Sequence, residues 1–489
     1  MKPSEALRRL LLLLCLVGLL ASTAPAAPPR SRQLRAGAAI SNLTPSLGGD
    51  IIGGFLPFPA THVHDQLHAR CLVLDDGTTQ IALVVCDLLG LHRSVSVEAR
   101  KLITEATGIP SANVMISATH THSAVSALGS TPRGYFSDVP LDDYQRFVAR
   151  RIADGVRSAV NLLRPAQIAF GTAEAPEHVF NRRWFMREGT VPVTPFGTQR
   201  DTVKMNPPAG SKDLVEPAGP TDPTVSFIAL REPGGRLLSV FSAYSLHYVG
   251  GVGGGHISAD YYGMYCEALK KLQPGADNDP PFVALMANGT SGDVNNINFR
   301  TPRPRQPAYA QMRFVAEDVA NKVHAALAKV TWQDGALLAA RYRELDLAWR
   351  KVEPELLAWA RDTEAKATGT IGKASIATVY AGRIQRLAQA SPQTKAPVQA
   401  FRIGDICLGT SPCETFAETG LEFKKHSPFA QSFMVELANG YYGYMPTPRH
   451  FALGGYETWP ATNYLEPQAS VKVMAALLAM AKELRSESR

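Results

Sequence analysis

Hydrophobic positions between residues 37 and 171 fall into two alternating kinds of segment. Short apolar runs such as HARCLVLDD and QIALVVCDLLG are typical of buried strands, and they alternate with helical patterns near 95–107 and 142–163. Strand-like runs resume later in the chain at VSFIALRE, LLSVFSAYSLH, PFVALMANG, VQAFRIGDICLGT and FMVELAN. This alternation predicts an α/β fold in which helices flank a mixed β-sheet core.

Two segments depart from this pattern. Residues 186–222 are rich in Gly, Pro, Thr and Asp and show no periodicity, so they predict a long loop of the kind that often shapes a site. Residues 350–390 combine helix-forming residues with charge and predict two helices joined around 369–372. We therefore expect one domain over residues 33–489, with a helical insertion at 350–390.

The N-terminus has the pattern of an export signal. Lys2, Arg8 and Arg9 precede an apolar run over residues 10–21, which small residues and prolines follow. This predicts a signal peptide over residues 1–27 and a mature protein that is secreted or periplasmic. The apolar run is shorter than the roughly 20 residues that a spanning helix needs, so we expect no stable membrane insertion.

Charge and cysteine content limit the classes of function. The chain has 50 Lys and Arg against 43 Asp and Glu, a net charge of +7, and these bases are scattered along it. Because no basic stripe with aromatic residues forms, we expect no nucleic-acid partner. Five of the six cysteines lie beyond the predicted signal, and this odd number argues against a disulfide scaffold.

The sharpest local motif is ATHTHS, which places His120 and His122 at the end of an apolar strand. Side chains at positions i and i+2 of a strand share one face. Two imidazoles on one face suit zinc, which takes neutral nitrogen ligands and can keep an open position for water. The alternative is a pair of ordinary polar residues where a strand emerges.

Other apolar runs end in polar residues in the same manner. His247 ends LLSVFSAYSLH and is followed by a glycine-rich loop and His256, and we expect His247 to be the better metal ligand of the two. Glu414 in TSPCETF can supply a carboxylate oxygen, and Asp293 in NGTSGDV can orient a histidine or take a proton from water. The tyrosine-rich segment NGYYGYMPTPRHFALGGYETW can form an aromatic lid.

These motifs, in this order, resemble the neutral ceramidase family, whose members are zinc amidases that cleave the N-acyl bond of ceramide. The resemblance runs from AGAAISNLTP through HDQLHARCLVLDDG, NVMISATHTHS and NGTSGDV to the tyrosine-rich segment. It implies that residues 33–489 form the catalytic domain of that family. It implies nothing specific about the helical insertion.

The resemblance also implies roles for individual residues. The implied zinc ligands are His120, His247, Glu414 and Tyr444, with Tyr441 and Tyr442 within a small register shift of the last. His122 is implied as a substrate contact, and with Asp293 it is a candidate to take a proton from water. The implied substrate contacts also include Arg182 in NRRWF, and we expect His256 and Tyr456 to join them.

Two departures from the family pattern bear on chemistry. The motif GDVSPN, which carries an essential serine in the family, is GDVNNI here, so Asn295 stands in the place of that serine. A serine nucleophile would then have to be Ser291 or Thr290. We instead expect a water molecule acidified by zinc to attack, with Asn295 donating a hydrogen bond to the developing oxyanion. We also expect no counterpart of the family's C-terminal immunoglobulin-like domain.

The sequence thus predicts a secreted zinc-dependent hydrolase that cleaves an N-acyl amide bond in a ceramide-like lipid or small molecule. Asn295 and the missing domain favour a first alternative, a related zinc hydrolase acting on a non-ceramide amide, an ester or a sugar-derived substrate. A second alternative is a non-catalytic binding protein that has kept the fold.

Overall fold

Three β-sheets form the framework of the protein in a computed structural model that describes residues 33–129, 140–302, 304–367 and 375–487. The first sheet contains, in spatial order, Val114–Ala118, Gln80–Cys86, His68–Asp75, Arg35–Asn42 and Arg164–Pro165. The second contains Val283–Asn288, Leu237–Tyr244, Thr224–Arg231 and Gln167–Glu174. The third contains Leu338–Ala348, Gln393–Ile403, Ile406–Thr410 and Gln431–Val435.

Each of these sheets combines antiparallel strands with one parallel pair. The parallel pairs are Gln80–Cys86 with Val114–Ala118, Leu237–Tyr244 with Val283–Asn288, and Ile406–Thr410 with Gln431–Val435. Parallel neighbours place their carboxyl ends at one edge, where ligands bind in open α/β sheets. The predicted mixed sheet core is confirmed, and polar residues follow each of these pairs.

A single apolar cluster joins the three sheets. It includes Leu83 from the first sheet, Phe241 and Leu285 from the second, and Phe401 and Phe433 from the third, all almost completely buried. Burying a side chain of this size contributes about 1.5–3 kcal/mol relative to leaving it exposed. The cluster therefore holds the ends of strands from all three sheets in fixed relative positions.

Helices cover the remaining faces of the sheets. Those on the first sheet are Arg93–Thr107 and Asp143–Asn161, the second of which begins with a capping box between Asp142 and Gln145. Those on the second sheet are Asp260–Lys271 and Ala310–Leu327. The others are Pro354–Lys366, Ile376–Ala388, Ala417–His426, Pro448–Leu453 and Ala469–Ser486.

The predicted helical insertion is present as the helices Pro354–Lys366 and Ile376–Ala388, which pack against each other and share an apolar cluster with residues of the third sheet. The predicted junction at 369–372 and the signal peptide predicted over 1–27 lie outside the described residues. Within the described ranges, no helix combines the length and the apolar character needed to cross a membrane.

The predicted long loop over 186–222 is wrong in part. Strand Arg183–Met186 pairs with both Val203–Met205 and Leu214–Pro217, which form a small three-stranded sheet. Strands of three and four residues are too short to show a period in the sequence. Four further short pairs are Phe180–Asn181 with Val294–Asn295, Asp50–Ile51 with Phe58–Pro59, His62–Val63 with His256–Ile257, and Glu414–Thr415 with Tyr444–Met445.

The packing of the second sheet predicts a large effect of one methyl group. Gly171 lies directly opposite Phe227 on the neighbouring strand, and a Cβ atom at position 171 would lie 2.2 Å from the Phe227 ring. Because Phe227 is fully buried, its ring cannot swing away freely. Gly171→Ala should lower the free energy of unfolding by about 1–3 kcal/mol in urea denaturation.

The matched control is Gly234→Ala, since no atom lies within 4 Å of a Cβ atom at that position. Equal stability of the two variants would contradict the packing described for this sheet.

Candidate metal centre and substrate pocket

His120 is the second residue after strand Val114–Ala118 and has a strained backbone conformation. Its φ angle is 70°, in the left-handed region, which costs a residue other than glycine of the order of 1–3 kcal/mol. The backbone N–H donates to the carbonyl oxygen of Leu88 at 2.9 Å, and Nδ1 lies 2.7 Å from the carbonyl oxygen of Leu89. A carbonyl can only accept, so Nδ1 carries the proton and Nε2 presents a lone pair to the interior.

His122 and His247 are held in the same tautomer. Nδ1 of His122 donates to the carbonyl oxygen of Gly53, and Nδ1 of His247 lies 3.1 Å from the carbonyl oxygen of Ser291. Ser291 is fixed in turn, because its hydroxyl donates to Glu436 at 2.7 Å. Burial lowers the pKa of both histidines well below the ordinary value, which favours the neutral form.

Glu414 enters the cluster from the third sheet. The short parallel pair of strands places Glu414 directly beside Tyr444. Oε2 of Glu414 lies 3.2 Å from Nε2 of His120 and 3.7 Å from Nε2 of His247, while Oε1 accepts a hydrogen bond from the Tyr441 hydroxyl at 2.7 Å. Burial would raise the pKa of Glu414, but His120 and hydrogen bonds from Tyr444 and Tyr441 outweigh it and lower the pKa to about 2.

Four acceptor atoms therefore converge: Nε2 of His120, His122 and His247, and Oε2 of Glu414. The Nε2 atoms of His120 and His122 are 3.1 Å apart, and the three histidines offer atoms within 4.8 Å of one another. Across the described residues, Nε2 of His247 and Oε2 of Glu414 have no hydrogen-bond partner although both are buried. A single proton can form a hydrogen bond between only two of these atoms, whereas a metal cation can contact several of them at once. These atoms therefore fit a metal cation.

Arg182 brings a buried positive charge beside this cluster. It is 3% exposed, and its Nε donates to Glu457 at 2.9 Å, while Arg183 donates to the other oxygen of Glu457 at 2.6 Å. The Arg182 guanidinium lies 5.3 Å from the centre of the Tyr444 ring. Within the described structure, Nη2 of Arg182 has no hydrogen-bond partner. A donor is thus held ready for an oxygen atom of a ligand.

A pocket of about 250 Å³ opens onto the cluster. Tyr248 forms part of its wall and stacks on His122 with ring centres 3.7 Å apart. The aromatic wall is completed by Phe55, Tyr441, Tyr444, Tyr456 and Tyr464. Two arginines of helix Ile376–Ala388, Arg383 and Arg386, also line the pocket. Such a mixture of apolar surface and convergent polar groups is typical of a small-molecule site.

Six of the residues expected at the site line this pocket together with Tyr456: His120, His122, His247, Glu414, Tyr444 and Arg182. Asp293 is not among the residues that line the pocket. Its two carboxylate oxygens accept hydrogen bonds from the backbone N–H of Ala417 at 2.9 Å and from Nδ2 of Asn181 at 2.8 Å. Burial raises the pKa of Asp293 to about 6, and these hydrogen bonds and Arg183 oppose the rise.

Asn295 and His256 are also outside the residues that line the pocket. The Asn295 amide donates to Asn206 at 3.0 Å, and Asn206 is the residue of that pair that lines the pocket. The His256 ring contacts the Tyr309 hydroxyl through Nδ1, and its centre lies 4.6 Å from the centre of the His62 ring. The glycine-rich loop between His247 and His256 therefore carries the two histidines to different surroundings.

Sequence reasoning missed several pocket residues. Tyr248 directly follows His247, so its position in the sequence indicates that it lies near the predicted metal ligand. Arg383 and Arg386 are three residues apart and share one face of a helix, a pattern visible in the sequence. The sequence does not show that this face meets the pocket.

Comparison with known proteins confirms the predicted ceramidase-like fold. No family model matches the chain. A neutral ceramidase from Pseudomonas aeruginosa superposes with a TM-score of 0.66 at 17% identity, over 93% of this chain and 74% of that one. A ceramidase complexed with C2 superposes with a TM-score of 0.67 at 17% identity, over 93% of this chain and 75% of that one. At this identity the similarity establishes a shared fold.

The converging acceptor atoms predict that a divalent cation stabilises the protein. Adding Zn²⁺ to chelator-treated protein should raise the free energy of unfolding by about 2.7 kcal/mol at 100 times the dissociation constant, measured as a rise in melting temperature. Glu414→Gln should remove most of this rise, since an amide has no charge for the cation and can donate to a histidine.

Glu422→Gln is the matched control, because Glu422 lies about half exposed on the helix that follows Glu414. A rise in melting temperature that is the same in Glu414→Gln as in the unchanged protein would place the cation elsewhere.

Proposed function

We propose that the protein is a zinc-dependent hydrolase that cleaves the N-acyl amide bond of a ceramide-like lipid or a related small molecule. The observation that carries the proposal is the cluster of three histidines, with Glu414 beside two of them, in the lining of a pocket with an aromatic wall. The fold shared with two ceramidases supports it. The signal peptide predicted over residues 1–27 supports export of the enzyme.

The proposed zinc ligands are His120, His247, Glu414 and Tyr444. Nε2 of His122 lies 3.1 Å from Nε2 of His120, beside these ligands, and the Tyr441 hydroxyl donates to Oε1 of Glu414. Imidazole nitrogen and carboxylate oxygen are ligands that zinc prefers. When bound, zinc would supply Lewis-acid polarisation of the scissile carbonyl and lower the pKa of water.

The remaining chemistry falls to side chains of the pocket. Nε2 of His122 has a lone pair and is directed into the cluster, so it can accept a proton from the attacking water and deliver it to the leaving nitrogen. The carbonyl oxygen of Gly53 holds the ring in that tautomer. Nη2 of Arg182 can donate to the substrate oxygen as negative charge develops there.

Asp293 and Asn295 support this machinery from outside the pocket. The carbonyl oxygen of Asp293 accepts the backbone N–H of Arg182 at 2.8 Å, so Asp293 positions that arginine. Asn295 holds Asn206 in the pocket wall. Tyr456 packs against Tyr444 with ring centres 5.7 Å apart and offers apolar surface to an acyl chain.

The proposal predicts that metal and activity are lost together. His120→Ala should abolish stoichiometric zinc, measured by elemental analysis, and lower hydrolysis of a panel of N-acyl amides, esters and N-acetyl sugars by at least about 100-fold. His426→Ala is the control, since His426 is half exposed and ion-paired with Glu422.

Retention of one zinc per chain and full turnover in His120→Ala would sink the assignment. If the unchanged protein bound zinc but hydrolysed nothing in the panel, the chain would be a metal-containing binding protein.

A second prediction separates water from serine as the nucleophile. The Ser291 hydroxyl is fully buried and engaged with Glu436 and His247, so it supports a metal ligand. Ser291→Ala should weaken zinc affinity by about 10- to 100-fold, the usual effect of losing such a supporting contact.

Saturating zinc should then restore the turnover of Ser291→Ala to within about tenfold of the unchanged protein, because the alanine removes a support and no attacking atom. Complete loss of turnover at full zinc occupancy would instead identify Ser291 as the nucleophile.

A further inference from the structure

Three arginines are among the residues that line the pocket. They are Arg182, which pairs with Glu457 behind the wall, and Arg383 and Arg386, whereas Glu414 supplies the only carboxylate among the described lining residues. A zinc ion bound at the histidines and Glu414 would add two further positive charges. A cleft lined by one sign of charge attracts ligands of the opposite sign.

Arg383 and Arg386 belong to a different part of the chain from the metal-binding residues. Both lie on helix Ile376–Ala388, three residues apart, so they project from the same face. The Arg383 guanidinium lies 5.5 Å from the centre of the Phe55 ring, which is itself part of the pocket wall. Both arginines are half-buried, whereas Arg361 on the neighbouring helix is exposed.

Tyr464, another residue of the pocket wall, is affected by both arginines. Burial raises the pKa of the Tyr464 hydroxyl, Arg383 and Arg386 lower it, and Glu414 raises it. The hydroxyl of Tyr464 therefore lies within electrostatic range of Arg383, Arg386 and Glu414. Arg383, Arg386 and the cluster of histidines with Glu414 line the same pocket.

We infer that the natural substrate carries an anionic group, a carboxylate or a sulfonate, which Arg383 and Arg386 bind while the amide bond lies at the metal cluster. Guanidinium groups form short, charge-assisted hydrogen bonds with such oxygens, often two at a time. The inference rests on the proposed amide hydrolysis and gives it a substrate class, an N-acyl amino acid or N-acyl aminosulfonate. In the reaction, water adds its oxygen to the acyl carbon, the C–N bond breaks, and a proton passes to nitrogen, so the products are a fatty acid and an anionic amine.

The test compares substrates that differ only in charge. N-lauroylglycine and N-lauroyltaurine should be cleaved with a kcat/KM about 10- to 100-fold above that of neutral N-lauroylglycinamide. In the double variant Arg383→Gln with Arg386→Gln, the preference should fall to within about threefold of unity, mainly through the KM of the anionic substrates. Arg361→Gln, a change of the same kind on an exposed residue, should keep the preference.

Binding of analogues that cannot be hydrolysed separates this inference from the proposed function. In the ketone analogues of N-lauroylglycine and its amide, a methylene group replaces the amide nitrogen. Calorimetry with the zinc-loaded full chain should show tighter binding of the acid than of the amide by about tenfold or more, with the difference lost in the double variant.

Equal dissociation constants for the acid and the amide would overturn the inference, even if both amide substrates are cleaved. A preserved preference in binding without hydrolysis of any substrate would overturn the proposed function and leave the anion site standing. Preferential cleavage of glycine over taurine conjugates would identify the anion as a carboxylate.

Discussion

The mutual repulsion of buried lone pairs is the constraint on which the rest of this structure depends. Nε2 of His120 lies 3.1 Å from Nε2 of His122 and 3.2 Å from Oε2 of Glu414, which in turn lies 3.7 Å from Nε2 of His247. Each imidazole has a carbonyl oxygen beside Nδ1, so Nδ1 donates and Nε2 is left as an acceptor. Unpaired acceptors of this kind cost free energy when buried. A cation shared by these atoms would remove that cost, and the stability of the arrangement would then rise with the affinity for the metal.

The three-sheet framework holds this arrangement in place. His120 follows a strand of the first sheet, His247 one of the second, and Glu414 one of the third. Because one apolar cluster fixes all three sheets, no single ligand can relax away from the others without disturbing the core. The left-handed backbone of His120 is consistent with this, since strain at one residue persists only where its surroundings over-determine it.

The sequence predicts the strands and most of the residues of the candidate site, and there are physical reasons why it does not predict the rest. The apolar runs that precede His120, His247 and Glu414 indicate that these residues lie near strand ends. Periodicity identifies a strand but not the strand it pairs with, so the sequence does not predict the division into three sheets. The sequence does not distinguish Tyr441, Tyr442 and Tyr444, and it is the pairing of two short strands in the structure that puts Tyr444 beside Glu414. Asp293 and Asn295 follow strand Val283–Asn288, but their side chains form hydrogen bonds with Asn181 and Asn206, which are distant in sequence, and neither residue lines the pocket. Arg383 and Arg386 enter it from a helix whose orientation no local pattern encodes.

The most direct test of the central claim is a crystal structure of zinc-loaded protein with anomalous scattering recorded on both sides of the zinc absorption edge. We expect one anomalous peak bonded to Nε2 of His120, Nε2 of His247 and an oxygen of Glu414, at about 2.0–2.2 Å from each. A peak confined to the other group that can hold a metal among the described residues, at Glu177, His178 and Asp318, would contradict it, as would no peak at all.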